Sequence, residues 1–364
     1  VAITPEQLPP DLDVACHLNV VLADPGSDLL AATLDGIAAR GFRRVVLPPV
    51  PPDAFDAAAF RRACEARGLS AIPIAGQDPQ ADVSSADPAV RAAGSAALRR
   101  MVELAAALGA DQLNGVPYGL FGRSPTAASQ DAWRRSAEAV GEAAEYAHGR
   151  GITLVFEVLN RYETPLINTA EQAMAFAEDS GSPHLRIHLD TFHMAVEERD
   201  LSAAIRTALP RLAFLELGQS GRGALSTGAV DVPGVVRRAL DDGYAGRWGV
   251  EAFSAEVLPE AACEALAIWR APYRDGLHLA DDAVRVIRAG WAGSTVGRRA
   301  ARLARADVSQ GGTAAPRTSG DDIVSHRPVT HTERDGSSPR AADPPAAAAH
   351  EPASAPASAA HTER

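Results

Sequence analysis

Between about residues 12 and 290 the chain alternates short apolar runs with longer Ala-rich stretches whose apolar positions recur at helical spacing. The runs predict strands at 13–20, 44–48, 70–75, 111–116, 152–158, 185–190, 212–217 and 247–252. The stretches between them predict helices at 28–40, 55–67, 87–109, 131–149, 168–179, 199–208, 232–242 and 277–289. Helix punctuation agrees with this division. Asn168-Thr169 and Asp231-Val232-Pro233 are openings, and Gly109, Gly151 and Gly243 stand where helices should stop. Eight such units predict an α/β fold, a (β/α)8 TIM barrel. A doubly wound open sheet is the rival, but it rarely needs eight strands, and no G-x-G-x-x-G follows the first one.

Four of the apolar runs end in an acid. They are Thr153-Leu154-Val155-Phe156-Glu157, Leu185-Arg186-Ile187-His188-Leu189-Asp190, Leu212-Ala213-Phe214-Leu215-Glu216 and Trp248-Gly249-Val250-Glu251. An acid closing a buried parallel strand is delivered to one rim of the sheet. In a barrel that rim is the functional one, and these acids close the fifth to the eighth strand. Four carboxylates meeting there could not all stay ionised without a cation, so Glu157, Asp190, Glu216 and Glu251 predict a divalent metal held by oxygen ligands. The plainer alternative is that each acid caps a helix or pairs with an arginine. It suits any one acid well, and four in phase with the same repeat poorly. Glu157 and Glu251, on strands nearly across the mouth, could face opposite sides of a substrate. One would remove a proton and the other return it.

Composition narrows the chemistry. The 364 residues carry a formal charge of −11, which argues against nucleic acid or an anionic membrane as partner. The one basic stretch, residues 298–305, lacks aromatics and reads as a solvated helix end. The chain contains no lysine, which excludes Schiff-base and pyridoxal-phosphate chemistry and the usual P-loop. Three widely spaced cysteines, Cys16, Cys64 and Cys263, fit reduced thiols in a cytoplasmic protein. No run of about 18 apolar residues predicts a membrane span. The barrel is expected over 1–295. From 306 to 364 Ala, Pro, Ser, Thr and Gly dominate, and His331-Thr332-Glu333-Arg334 recurs at 361–364, so a disordered tail is expected there.

The segments Phe156-Glu157-Val158-Leu159-Asn160-Arg161-Tyr162-Glu163, Leu189-Asp190-Thr191-Phe192-His193-Met194 and Val250-Glu251-Ala252-Phe253 resemble signatures of the ketose 3-epimerases. These are the D-tagatose and D-psicose 3-epimerases of the xylose isomerase-like barrel superfamily. The gaps between the four acids and the late Ile268-Trp269-Arg270 are similar too, so the resemblance spans roughly residues 150–290. It implies a metal-dependent epimerase acting on a free ketose at C3 through a cis-enediolate, with the metal stabilising the intermediate. Glu157 and Glu251 would be both ligands and the acid/base pair, and Asp190 a ligand alone. Glu163, His193 and Arg222 would hold the hydroxyls around C1 to C3. Arg222 would bind and polarise, since it cannot lose its proton. The resemblance also implies a homo-oligomer, a dimer or tetramer. His17, Tyr118 and Phe121 are candidates for contact with the far end of the sugar, with ordinary packing the competing role for each.

One departure stands out. Where the family has a histidine ligand this chain has Glu216, and three residues later it has Gln219 for a glutamate. The pair of changes leaves the formal charge of the loop unaltered. A four-carboxylate site should favour hard cations, Mn²⁺ or Mg²⁺, with Co²⁺ a further candidate. The rivals are another superfamily enzyme (sugar isomerase, dehydratase or C-glycoside-cleaving lyase) and a non-catalytic decayed barrel. A DNA-repair endonuclease on this barrel would call for a histidine-rich cluster and a basic face.

Overall fold

The computed structural model describes residues 6–311; of the tail expected over 306–364, residues 306–311 end the last helix and 312–364, with the repeated tetrapeptide, lie outside the described residues. The strands are β1 (Val14–His17), β2 (Arg44–Val46), β3 (Ser70–Ile72), β4 (Ile74–Ala75), β5 (Gln112–Gly115), β6 (Thr153–Val158), β7 (Arg186–Asp190), β8 (Leu212–Gly218) and β9 (Arg247–Glu251). All their pairings are parallel, in the order β3-β2-β1-β9-β8-β7-β6-β5-β4. The two ends of that order, β3 and β4, are one predicted strand interrupted at Pro73. Proline has no N–H for the ladder, so the strand breaks there. Its first half pairs with β2 and its second with β5, closing an eight-membered barrel.

Helices pack around the barrel: α1 (Leu30–Ala39), α2 (Ala57–Glu65), α3 (Pro88–Ala107), α4 (Gln130–His148), α5 (Ala170–Asp179), α6 (Thr191–Glu197), α7 (Leu201–Ala208), α8 (Val232–Asp241), α9 (Glu260–Leu266), α10 (Gly276–Gly293) and α11 (Thr295–Gly311). The predicted caps are present. Thr169 and Gln172 form a reciprocal capping box on α5, and Asp231 accepts from the Gly234 amide of α8. Gly109 and Gly151 follow their helices in the left-handed conformation, φ 67° and 73°. Three helices were not predicted. α6 and α9 are short and sit in βα loops, and α11 runs through the basic stretch and past residue 295.

Alternation along the strands separates two apolar layers. Outward residues such as Ile187, Leu189, Leu215 and Leu217 join the main core against the helices. Inward residues Ala15, Val46, Ile72, Val155 and Phe214 fill the barrel itself. The next inward positions toward the C-terminal rim are polar: His17, Glu157, His188, Asp190, Glu216 and Glu251. At the opposite rim Arg44 bonds Asp13 (2.9 Å) and Asp111 (2.7 Å), and Arg247 Nη1 donates to Gln112 Oε1 (2.7 Å). That network closes the floor, so the mouth is the open end.

Candidate active site

The seven residues expected to hold the metal or the C1–C3 hydroxyls all reach the barrel mouth, but they divide into two groups. In the first, Asp190 does what the plainer reading proposed for it. Its Oδ1 accepts the Phe192 amide (2.8 Å) and so caps α6, which explains a helix the periodicity missed. Its Oδ2 accepts from Arg222 Nη1 (2.9 Å), and the same nitrogen donates to Glu251 Oε2 (2.6 Å). Arg222 holds the left-handed conformation, φ 54°, unusual for a side chain with a Cβ and typical of residues that structure forces into place. Its guanidinium lies over the rings of Phe192 (3.7 Å) and Phe253 (4.9 Å). His193 Nδ1 accepts the Asn160 amide (3.2 Å), so the ring proton sits on Nε2, which faces Glu157 Oε1 at 3.4 Å. Glu163 Oε1 accepts from Asn160 Nδ2 (2.9 Å). Asn160, Glu163, Phe192, Arg222, Phe253 and Trp269 line one cavity of about 260 Å³.

The second group centres on Glu216, which is fully buried. Its Oε1 lies 2.8 Å from His17 Nε2 and its Oε2 3.1 Å from His188 Nε2. His17 Nδ1 is 3.2 Å from Glu251 Oε1, and His188 Nδ1 is 3.9 Å from Glu157 Oε2. His17, expected on the far wall of the pocket, therefore stands among the acids. His188 was not singled out at all. The signal for it was present, since it lies two residues before Asp190 on the same strand and must share its face.

Tyr118 takes the packing role weighed for it: it is fully buried, its hydroxyl donates to the Glu157 carbonyl (2.8 Å), and its ring packs edge-on to Phe156. It braces the strand end that carries Glu157. Gln219 does not face the acids. Its amide donates to the Leu225 and Val230 carbonyls and accepts from the Ser220 and Val230 amides, tying down the 219–230 loop. The charge of Glu216 is met by two imidazoles instead. Phe121, by contrast, is exposed and lines a separate cavity of about 500 Å³ with Asp82, Arg123 and Leu166.

The electrostatics follow from burial against these neighbours. Burial pushes Glu251 up to about 7; Arg222 and His17 pull against it, and Glu216 and Glu157 add smaller upward pushes. Glu157 is also buried, but His188 and His193 outweigh the desolvation and hold its carboxyl below the usual range. For His17 burial works against the charged form; the charges of Glu216 and Glu251 prevail and raise it to about 9. Glu216 moves the other way, well below the carboxylate range, because His17 and His188 outweigh its desolvation.

The donor set fits a divalent cation. Both oxygens of Glu216, Nε2 of His17 and both ring nitrogens of His188 are buried with no aligned hydrogen bond, although they approach one another closely. Each such orphan costs about 1–3 kcal/mol, and one cation can satisfy several at once. Among the described residues, possible ligand atoms within 4.8 Å of one another form three overlapping groups: His17, Glu216 and Glu251; Glu157, His188 and Glu216; and Glu157, Asp190 and His193. The four acids together make none of these groups.

A family profile described as xylose isomerase-like TIM barrel matches residues 31–279. The chain belongs to the xylose isomerase-like TIM barrel family. Within that family it is 35% identical over 277 residues to the L-ribulose 3-epimerase of Mesorhizobium japonicum, covering 76% of this chain and 93% of that protein. It is likewise 35% identical over 277 residues to the ketose 3-epimerase of Arthrobacter globiformis, covering 76% and 96%. Among solved structures, the D-allulose 3-epimerase of Methylomonas sp. in complex with D-allulose superposes with a TM-score of 0.73 at 31% identity, over 78% of this chain and 99% of that one. No helix of the described residues is long and apolar enough to cross a membrane.

Proposed function

We propose that this xylose isomerase-like barrel is a metal-dependent ketose 3-epimerase, with Glu157 and Glu251 as its acid/base pair. The observation that carries the reading is the placement of these two carboxylates. They close β6 and β9 on either side of the strands that carry Asp190 and Glu216, and they line one mouth. Two carboxylates so placed can serve as base and acid toward one carbon, which is what removal and return of a proton require. Glu157 takes the C3 proton. Glu251 supplies one to the other side of the carbon, and in the reverse direction the roles exchange.

The neighbours have supporting parts. Arg222, lying over two aromatic rings, and His193, whose Nε2 is 3.4 Å from Glu157 Oε1, hold substrate oxygens through the enediolate stage. Glu163, fixed by Asn160, accepts from a hydroxyl at the cavity wall. A bound divalent cation supplies Lewis acidity that lowers the C3–H pKa and offsets the anionic charge that develops. Mn²⁺, Mg²⁺ and Co²⁺ are the candidates, with Glu157, Asp190, Glu216 and Glu251 as the acids able to reach such an ion. Three free, buried cysteines fit a cytoplasmic setting, and a dimer or tetramer is the assembly expected.

The test is deuterium uptake from heavy water at C3 of L-ribulose, D-psicose, D-tagatose and D-fructose, after metal removal and reconstitution with each ion. Exchange in at least one sugar is expected; none with any ion refutes the proposal. Glu251→Gln keeps the side-chain volume and removes the titratable carboxyl. It should lower exchange by at least about 10²-fold, the lower end of general acid–base contributions. Undiminished exchange would remove Glu251 from its role.

A further inference from the structure

The surroundings of Glu216 are built as a unit. On β7, Ile187 and Leu189 face the helices, so His188 and Asp190 face inward. Register sets Asp190 opposite Glu216 and His188 opposite Phe214, whose ring meets the imidazole edge-on at 4.8 Å. The imidazole is thus held one side-chain layer below Asp190, 1% exposed, on an aromatic support. On the other side, Gly249 of β9 lies opposite Glu216. A Cβ there would overlap Glu216 Oε1 and the Phe214 ring, so the missing side chain makes the room the carboxylate occupies.

Among the described residues no aligned hydrogen bond uses the donors gathered there. Both nitrogens of His188 and both oxygens of Glu216 lack an aligned partner despite the 3.1 Å between them. In the neutral imidazole one ring nitrogen carries the proton and the other a lone pair, so with no N–H directed at the carboxylate one nitrogen of His188 and the oxygens of Glu216 can serve a third atom. Glu157 completes a set of three whose ligand atoms lie within 4.8 Å of one another.

We propose that His188 is a nitrogen ligand of the divalent ion, acting with Glu157 and Glu216, so that the site is a mixed nitrogen–oxygen one and not the all-carboxylate set the sequence suggested. The inference rests on the metal-dependent reading above. An imidazole in the donor set raises affinity for Co²⁺ and Mn²⁺ over Mg²⁺, which takes oxygen ligands and dehydrates reluctantly. Asp190 also caps α6 and holds Arg222, one hydrogen bond to each oxygen, which leaves each a further lone pair.

The test needs no sugar. Chelator-stripped protein is titrated with Co²⁺, Mn²⁺ and Mg²⁺ by calorimetry, and the Mn²⁺-loaded form, grown on ¹⁵N-histidine, is measured by pulsed EPR. The expected result is Co²⁺ and Mn²⁺ bound more tightly than Mg²⁺, with a directly coordinated histidine nitrogen. In His188→Gln that nitrogen signal should vanish and Co²⁺ affinity fall by at least about tenfold, while His17→Gln and His193→Gln keep the signal. His188→Asn is the smaller second replacement, and circular dichroism checks that each variant is folded. An ion bound through oxygen alone, or a nitrogen signal that survives in the His188 variants, overturns this inference and leaves the epimerase proposal standing. A protein that binds no divalent ion overturns both.

Discussion

Gly249→Ala tests how tightly the centre of the site is specified. The new Cβ would overlap Glu216 Oε1 and come within 2.7 Å of Phe214 Cζ, well inside van der Waals contact. One of three parts must then move. The β9 backbone is held on both sides, by β1 (Ala15 opposite Gly249) and by β8 (Glu216 opposite Gly249). The Phe214 ring sits in the filled barrel interior with Ala15, Val46, Ile72 and Val155. The carboxylate is the part left to yield. Adding a methyl group to a packed interior costs about 1–3 kcal/mol, and for a domain of this size that corresponds to a drop in Tm of roughly 2–10 °C. The assay is urea or thermal unfolding of the chelator-stripped protein, with Glu216→Asp and the double variant alongside. Aspartate is one methylene shorter and withdraws from the new Cβ. The double variant should therefore lose less than the sum of the singles, by about 0.5–3 kcal/mol. A Gly249→Ala protein as stable as the wild type, or strictly additive singles, would refute the packing argument.

Two further predictions concern the rest of the barrel. At the floor, burial would raise the Asp111 carboxyl, but Arg247 and Arg44 outweigh it and hold it below the usual range. Its stabilisation is therefore present above the unfolded value of about 3.9 and is lost as pH falls through the lower folded one. Asp111→Asn should cost at most about 1 kcal/mol at pH 7, the screened worth of a half-exposed pair, and the gap to wild type should close in acid. An unchanged gap at low pH, followed by unfolding midpoints against pH, would count against the network. Burial pushes the Cys16 and Cys64 thiols up to about 12, with the Glu216 charge adding to the first. At pH 8 about one in ten thousand is thiolate, so neither should react with iodoacetamide until the barrel unfolds. Labelling of either in the native protein, read by mass spectrometry, would contradict this.

The barrel and the phase of its acids were legible in the sequence because both are local. Alternation within a strand, a capping box at Thr169 and Gln172, and a glycine after a helix are each set within a few residues. That is enough to place Glu157, Asp190, Glu216 and Glu251 at one rim. What those acids do once there is not local. Whether Asp190 binds an ion or caps α6 depends on an arginine 32 residues away lying over two rings. Whether Glu216 leans toward Asp190 or down between His17 and His188 depends on a missing side chain at Gly249 and on inter-strand register. Likewise, the break at Pro73 is a fact of composition, but that both halves stay in the wall follows from having β2 on one side and β5 on the other. Periodicity decides which way a residue faces. Only the closed barrel, by bringing four strands' inward faces together, decides what it meets there.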